Sequence, residues 1–488
     1  MNSSFAPRSL LPVFVCVMIS CASCRTPSAD LSSTQLSKID RYVQAEMQRE
    51  IIPGLSLGIY KNGDIVLAKG YGLANIELNV PVKPETVFQS GSVGKQFTAA
   101  AVMMLVEEGK IGLNDPISKY FPKAPQFWNA IRVKNLLSHT SGLSEYTSDE
   151  RTGPAGPFYT RLDFTEDQFV EKIEALPMEF KPGDKWDYRN TNYLLLGAII
   201  HKITGKPYID FLEERIFKPL GMTSTRLINE AEIIPNRAAG YQLVEGVIEN
   251  QNWVSPSFNT TADGALYFNV LDLAKWDGAL YGTTLLTQSS LDRAWTVFLL
   301  NDGKPNWSNY GFGWEINQIN GHKVIEHGGA WQGFRCHISR YVGDQTTVVV
   351  LTNSDSAATD VVTHVVAGLV NPALDPPKTV AIADEKPQVA ERLRAALNQI
   401  DAGQPVTDQM TPSFAVETAA HAGSVGPRAL NSIWPPDSVA LVSRGNDEGV
   451  TESTYRFTRG AESRFVIFSV SKDGKIAALD LQPDPDMR

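Results

Sequence analysis

Ser92 and Lys95 form a candidate catalytic pair, because a hydroxyl and an aliphatic amine stand three positions apart in the sequence. They precede an apolar run, Ala99–Val106, that predicts a buried helix, with Gly109 placed to end it. On a helix the two side chains would share one face, and the free N–H groups of the first turn would stabilise negative charge near the serine oxygen. This is the pattern of an activated nucleophile, although S-x-x-K also occurs by chance on solvated surfaces.

Two later segments carry further groups of this kind. Residues 188–190 read Tyr-Arg-Asn, and residues 327–329 read His-Gly-Gly. The first of these segments also has a purely structural interpretation. Tyr188 could be an aromatic side chain at the edge of the core, and Asn190 or Thr191 could cap the apolar helix predicted over residues 193–200.

The bulk composition is that of an ordinary globular protein. The chain has 488 residues, 43% hydrophobic and 20% charged, with a formal charge of −10. This charge and the lack of any nucleic-acid motif argue against nucleic acid as a partner. The seven histidines, at positions 139, 201, 322, 327, 337, 364 and 421, show no metal-binding spacing. We therefore expect no metal site and no cofactor.

The N-terminus has the features of an export signal. Arg8 precedes an apolar run over residues 10–19, and small residues follow, which predicts a signal peptide over residues 1–24 and a periplasmic protein. Both Cys21 and Cys24 stand in sequences that resemble bacterial lipoprotein cleavage sites. A lipid on Cys21 or Cys24 would tether the protein to the membrane, with simple secretion as the alternative. Only Cys336 lies outside this region, so no internal disulfide is expected.

The order of predicted elements indicates a mixed fold. Residues 36–47 have the spacing of an amphipathic helix, and Asn62-Gly63 joins two strand-like runs as a hairpin. Strand patterns return only at residues 323–326, 333–341 and 346–352. We therefore predict an α/β (α+β) fold in which helices flank one antiparallel sheet, with an α-helical insertion between its N- and C-terminal parts.

The composition changes after residue 370. A Pro-rich stretch predicts a linker over residues 371–387, and an amphipathic helix followed by four strand-like runs predicts a small C-terminal α+β module over residues 388–488. With the signal peptide at 1–24, the main domain is expected over residues 33–370.

Residues 92–95, 188–190 and 327–329, in this order, resemble the three motifs of the penicillin-recognising serine hydrolases. That superfamily contains class C β-lactamases, D-alanyl-D-alanine carboxypeptidases, D-aminopeptidases and related family VIII esterases. The resemblance covers residues 33–370 and implies a β-lactamase/transpeptidase-like fold. Segments that look like structural signatures of the family lie at 136–143, 193–197, 272–276 and 310–314.

The resemblance implies a role for each catalytic group. Ser92 would attack a carbonyl and form an acyl-enzyme, while Lys95 and Tyr188 would share the task of accepting its proton. Free Lys and Tyr have pKa values of about 10.4 and 10, so a base active at pH 7 needs a pKa shift of roughly 3 units. Burial lowers the pKa of a lysine and raises that of a tyrosine, and a nearby ammonium lowers the latter. The pair is expected to titrate as a unit, so the identity of the base stays open.

The same resemblance assigns the substrate-binding groups. Asn190 would orient the Lys95 amine or the acyl amide. The backbone N–H groups of Ser92 and Ala330 would form an oxyanion hole. Gly328 and Gly329 have no side chains and would leave room for the substrate to approach the strand edge.

His327 stands where many members carry lysine, and a histidine offers charge to a substrate carboxylate only when protonated. This disfavours β-lactams and leaves peptidases, D-aminopeptidases and esterases open. His139, beside a predicted turn, is interpreted as structural.

The predicted function is therefore an exported serine hydrolase that acts through a Ser92 acyl-enzyme on an amide or ester. A D-residue peptide or a small ester is favoured as substrate. The alternatives are a penicillin-binding-like sensor without turnover and a true class C-like β-lactamase. The sequence leaves the oligomeric state open.

Overall fold

The computed structural model describes residues 31–244, 246–402, 406–412, 414–415, 433–447, 449–484 and 486. The predicted signal peptide, with Cys21 and Cys24, lies outside these residues. The helices are α1 (Ser33–Arg49), α2 (Lys95–Glu107), α3 (Val133–Leu137), α4 (Asp149–Thr152), α5 (Glu166–Glu174), α6 (Asn190–Thr204), α7 (Tyr208–Leu212), α8 (Lys218–Leu220), α9 (Val270–Ala279), α10 (Gln288–Ala294), α11 (Thr359–Val370) and α12 (Pro387–Asp401).

The strands follow the same chain order. They are β1 (Gly54–Lys61), β2 (Asp64–Asn75), β3 (Val80–Pro81), β4 (Phe88–Gln89), β5 (Arg226–Leu227), β6 (Tyr241–Val244), β7 (Val247–Asn250), β8 (Leu266–Phe268), β9 (Glu315–Ile319), β10 (His322–Trp331), β11 (Phe334–Tyr341), β12 (Thr346–Thr352), β13 (Ser438–Asp447), β14 (Val450–Arg459), β15 (Glu462–Val470) and β16 (Ile476–Pro483).

A seven-stranded antiparallel sheet joins the two ends of the main domain. Its strand order is β3-β2-β1-β12-β11-β10-β9, so the N-terminal hairpin pairs directly with strands from the C-terminal part. In the register of β1 and β12, Leu57 lies opposite Val350. The predicted fold, an antiparallel sheet flanked by helices with a helical insertion, is confirmed.

Successive side chains of each strand point to opposite faces of this sheet, and different helices cover the two faces. On one face, α1 and α11 bury a core that includes Ile39, Leu57, Val350 and Val366. On the other face, the larger core belongs mainly to the region between β3 and β9, with α2 and α6 at its centre. Because both faces are covered, the central strands are apolar on both sides.

Helix α2 is apolar on nearly all sides because it runs through this larger core. Its residues Lys95 to Leu105 are all buried. A single 3₁₀ turn, Gly91–Gly94, leads into it, and we call this segment the Ser92 turn. Gly109 follows the helix with φ of +69°, a conformation that glycine adopts at low cost, so the expected stop is confirmed.

Helix α6 begins earlier than predicted. Its N-cap is Arg189, whose side chain makes no capping hydrogen bond, and Asn190 is the first helical residue. The expectation that Asn190 or Thr191 caps the helix is therefore wrong. The side-chain oxygen of Asn190 is used elsewhere, as an acceptor for Lys95.

The C-terminal module is a four-stranded antiparallel sheet in the order β13-β14-β15-β16, with α12 packed on it. Residues 379–384 also bind to this sheet, since the amide of Ile382 donates to Leu441 O at 2.8 Å and Arg444 pairs with Asp384 at 2.6 Å. The module contacts the main domain where Arg464 of β15 pairs with Glu50 after α1.

Within the part of the chain that the structure describes, no helix is long and apolar enough to cross a membrane.

Candidate active site

The Ser92 turn and the start of α2 place the predicted nucleophile beside the predicted amine. Lys95 Nζ lies 2.9 Å from Ser92 Oγ, within hydrogen-bond distance. Lys95 is fully buried, whereas Ser92 lines a cleft. The serine therefore borders an open cleft while its partner amine is shielded from water.

Two further oxygens hold the Lys95 amine. It donates to Asn190 Oδ1 at 2.8 Å and to the backbone carbonyl of Asp263 at 2.5 Å. Burial lowers the pKa of Lys95 to about 8, although the negative charges of Asp263 and Glu145 act in the opposite direction. At pH 7 about a tenth of such an amine is neutral, and a neutral amine can accept the serine proton.

Tyr188 is the third predicted catalytic group, and the structure brings it to the same place. Lys95 Nζ lies 4.9 Å from the centre of its ring. Burial raises the pKa of the Tyr188 phenol well above its usual value, while the facing Ser92 hydroxyl acts in the opposite direction. The contact with Ser92 falls short of an aligned hydrogen bond, and no other described group bonds to the phenol oxygen. Tyr188 is therefore a protonated phenol at neutral pH.

His139 supports the Tyr188 segment from behind. Its ring lies against that of Tyr188, with 4.2 Å between the ring centres, and its Nδ1 accepts the Arg189 amide at 3.2 Å. Burial lowers the pKa of His139 well below its usual value, so the imidazole is neutral. These are the contacts of a structural histidine, which is the role expected from the sequence.

His327 and the two glycines after it lie within β10. Tyr310 donates its hydroxyl hydrogen to His327 Nε2 at 2.9 Å, and Nδ1–H donates to Gly328 O at 2.6 Å. Burial and the charge of Lys95 lower the pKa of His327 to about 3. Position 327 therefore carries no positive charge at neutral pH.

Close approach of two backbones explains the glycine at position 329. A Cβ there would lie 2.2 Å from the Ser90 carbonyl oxygen and 3.0 Å from the Ser92 nitrogen. Gly91 has φ of +46°, and a Cβ on it would lie 2.4 Å from the Ala330 nitrogen. The backbones of Ser92 and Ala330 thus border the same narrow gap, where two N–H groups can face one oxyanion.

The cleft above Ser92 has a volume of about 60 Å³. The described residues that line it include one carboxylate and no lysine or arginine; they are Gly91, Ser92, Tyr146, Thr147, Asn190, Phe258, Thr261, Asp263, Gly264, Ala265, Ala330 and Trp331.

Sequence reasoning missed two acidic residues beside the site. The Tyr146 hydroxyl donates to Asp263 Oδ2 at 2.8 Å, and Glu145 Oε2 accepts a hydrogen bond from the backbone N–H of Asn190 at 2.5 Å. Burial raises the pKa of Glu145. Neither residue belongs to a recognisable motif, so no sequence signal distinguished them from surface acids.

Comparisons with known proteins agree with this geometry. The family model described as Beta-lactamase matches residues 39–369. Penicillin-binding protein 4* of Bacillus subtilis (strain 168) is 30% identical over 313 residues, which is 60% of this chain and 67% of that protein.

Solved structures support the same conclusion. The octameric penicillin-binding protein homologue from Pyrococcus abyssi has a TM-score of 0.62 at 23% identity, over 91% of this chain and 99% of that one, and shows the shared fold. D-amino acid amidase from Ochrobactrum anthropi SV3 has a TM-score of 0.58 at 25% identity, over 69% of this chain and 99% of that one. This chain therefore belongs to the beta-lactamase family and is a serine hydrolase related to the penicillin-binding proteins.

Proposed function

We propose that this protein is an exported hydrolase that forms an acyl-enzyme at Ser92 with amide or ester substrates. D-residue peptides or amides and small esters are its favoured substrates, ahead of β-lactams. The observation that carries the proposal is the 2.9 Å contact between Ser92 Oγ and a buried amine whose pKa is about 8.

In the proposed mechanism, the neutral Lys95 amine accepts the Ser92 proton as the serine oxygen bonds to the substrate carbonyl carbon. The N–H groups of Ser92 and Ala330 stabilise the resulting oxyanion. The C–N or C–O bond then breaks, and the proton passes from Lys95 through the Tyr188 phenol to the leaving group. Water attacks the acyl-enzyme with the same groups as base, which releases the acid and restores Ser92.

The charges around the cleft support the substrate preference. A β-lactam or a peptide with a free C-terminus presents a carboxylate, but His327 is neutral and the described cleft lining holds no lysine or arginine. The Asp263 carboxylate suits an amine instead. The D-amino acid amidase among the similar structures has been solved with D-phenylalanine and also with L-phenylalanine and its amide, so the D-residue preference is supported by its name and not by its bound ligands.

We also propose the layout predicted from the sequence. Residues 1–24 direct export to the periplasm, Cys21 or Cys24 carries a lipid, and residues 33–370 form the hydrolase. Residues 371–387 connect it to an accessory module over 388–488. Fractionation of cells that express wild type and a Cys21→Ser/Cys24→Ser double variant tests the anchor. Release of the variant alone from the membrane would support it, and membrane association of both would contradict it.

The test of the activity compares substrates that differ in one feature. We expect wild type to hydrolyse p-nitrophenyl butyrate and D-alanine p-nitroanilide, and to act much more slowly on L-alanine p-nitroanilide and nitrocefin. Ser92→Ala should abolish turnover, and Tyr188→Phe should reduce kcat/KM by about 10² to 10⁴. Tyr281→Phe is the matched control, because the Tyr281 hydroxyl is also buried, and its ring lies against Arg340 outside the cleft.

Mass spectrometry after incubation with a fluorophosphonate identifies the nucleophile directly. A single adduct on Ser92 supports the proposal. An adduct with penicillin that persists without turnover of any substrate would favour the sensor, and rapid nitrocefin hydrolysis would favour a β-lactamase. Equal turnover by wild type and Ser92→Ala would contradict the mechanism.

A further inference from the structure

A second cluster of ionisable groups lies on the opposite face of β10, between the sheet and α11. Glu326 Oε2 is 3.3 Å from His337 Nε2 and 2.6 Å from His364 Nε2. The three ligand-type atoms all lie within 4.8 Å of one another. They come from three separate elements, β10, β11 and α11, that meet only in the folded protein.

Carboxylates outnumber imidazoles around this cluster. Glu315 lies directly opposite Glu326 in the β9–β10 pairing, and the charge of Asp360 acts on Glu315 and on His337. Like charges placed opposite each other in a sheet are destabilising, and buried charge needs compensation. A bound cation would compensate the negative charge of these three acids beside two imidazoles, and it would replace the proton that burial favours on Glu315, whose pKa is raised to about 7.

We propose that Glu326, His337 and His364 bind one zinc ion. Two imidazole nitrogens and one carboxylate oxygen are donors that suit Zn²⁺, whereas Mg²⁺ and Ca²⁺ prefer oxygen donors alone. With metal–ligand distances of 2.0–2.2 Å, ligand atoms in a tetrahedral site lie about 3.3 Å apart. The Glu326–His337 distance of 3.3 Å already meets this requirement.

His364 is the ligand that must move for zinc to bind, and it is also the ligand that lies nearest to solvent. Its nitrogen is closer to Glu326 than two zinc ligands would be, so its ring must move outward by about 0.7 Å. The side chain of His364 is 21% exposed, while those of Glu326 and His337 are 4% and 8% exposed. A zinc ion can therefore enter beside His364, with water as fourth ligand.

The surrounding groups already hold the proposed carboxylate ligand in place. Ser339 Oγ donates to Glu326 Oε2 at 2.9 Å, and Asn317 Nδ2 donates to Glu326 Oε1 at 2.9 Å. Such outer contacts fix the orientation of a ligand before a metal binds. The proposal departs from the sequence-based expectation of no metal site, which considered only the spacing of histidines along the chain.

The experiment uses the untagged, full-length protein after dialysis against EDTA. Titration with ZnCl₂, followed by calorimetry and elemental analysis, should give one zinc per chain, and Zn²⁺ should raise Tm by several degrees. MgCl₂ should produce neither effect. His364→Ala and His337→Ala should each weaken zinc binding by at least tenfold.

His322→Ala is the matched control, because His322 also pairs with a carboxylate, Asp344, at 2.7 Å. It should bind zinc as wild type does. Absence of stoichiometric zinc in wild type, or equal affinity in wild type and both ligand variants, would overturn the proposal and leave a metal-free hydrogen-bonded network. If circular dichroism shows that His337→Ala does not fold, the test uses His364→Gln instead, together with anomalous scattering at the zinc edge from wild-type crystals. Weaker zinc binding by His364→Gln and an anomalous peak beside Glu326 would support the proposal, and the absence of both would overturn it.

Discussion

Strand β10 separates two buried ionisable clusters that differ in how their charge is balanced. His327 and Glu326 are neighbours in sequence, but their side chains point to opposite faces of the sheet. On the Ser92 face, burial lowers the pKa values of both Lys95 and His327, so positive charge is disfavoured. On the other face, burial acts to raise the pKa of Glu326, but hydrogen bonds from His337 and His364 hold that pKa well below its usual value.

The comparison shows that one strand can divide a protein into two electrostatic environments a single residue apart. The reacting face gains an amine with a lowered pKa and a protonated phenol, which can exchange a proton with a substrate. The opposite face holds the ionised Glu326 carboxylate beside two imidazoles, which can bind a cation. The predictions below test this division, beginning with the largest expected effect.

Adjacent glycines of β10 offer the largest contrast. In Gly329→Ala the new Cβ would lie 2.2 Å from the Ser90 carbonyl oxygen, so the strand and the Ser92 turn must move apart. Since an ångström of displacement at an oxyanion hole is costly, we expect kcat/KM for p-nitrophenyl butyrate to fall by about 10² to 10³. In Gly328→Ala the Cβ would lie 3.4 Å from His337 Nδ1, and the loss should be at least tenfold smaller. Equal losses would show that the two faces are not separate.

The next effect concerns zinc on the opposite face. Ser339→Ala removes the hydroxyl that donates to Glu326 Oε2, so the proposed carboxylate ligand is held less firmly. We expect the Kd for Zn²⁺, measured by calorimetry, to rise by about tenfold. Ser56→Ala is the control, because Ser56 is a buried serine of β1 in the same sheet and its hydroxyl has no partner among the described residues. Identical Kd values for the two variants would contradict the expected role of Ser339.

The smallest effect is a shift in the pH profile. Because neutral Lys95 is the proposed base, kcat/KM for a substrate without ionisable groups should rise with pH and level off above the Lys95 pKa of about 8. The negative charge of Asp263 raises that pKa, so Asp263→Asn should lower it and move the rise to lower pH. The result would be a few-fold higher kcat/KM at pH 6.5 relative to the plateau.

Asp360→Asn is the matched control for this profile, since Asp360 acts on the opposite cluster. The pH dependence of kcat/KM in Asp360→Asn should match that of wild type. A shift of the profile towards higher pH in Asp263→Asn would show that a group other than the Lys95 amine limits the rate.

Much of the fold followed from local patterns. The apolar run after Lys95 predicted a helix that proved buried, and the Asn62-Gly63 turn predicted the hairpin of β1 and β2. These patterns are readable because helix and strand periodicities act over a few residues. The start of α6 was less predictable, because the asparagine amide contacts Lys95 instead of capping the helix.

The candidate site was predictable where its residues stand in motifs and unpredictable where they do not. Ser92, Lys95, Tyr188 and the residues 327–330 were identified from three short segments in order. Asp263 and Glu145, which raise the pKa of Lys95, gave no signal, because a single acid in a loop is indistinguishable from a solvated one. The sequence also did not show whether each pKa is raised or lowered, since the direction depends on how fully each group is buried.

By itself the sequence determined the local elements and the three motifs, because helix spacing and strand alternation are properties of neighbouring residues. Only the tertiary structure decided that the Lys95 pKa is lowered while that of Tyr188 is raised, and that His327 is neutral. It alone also brought Glu326, His337 and His364 together. The physical reason is that burial and electrostatic coupling arise from contacts between distant segments, which no pattern along the chain records.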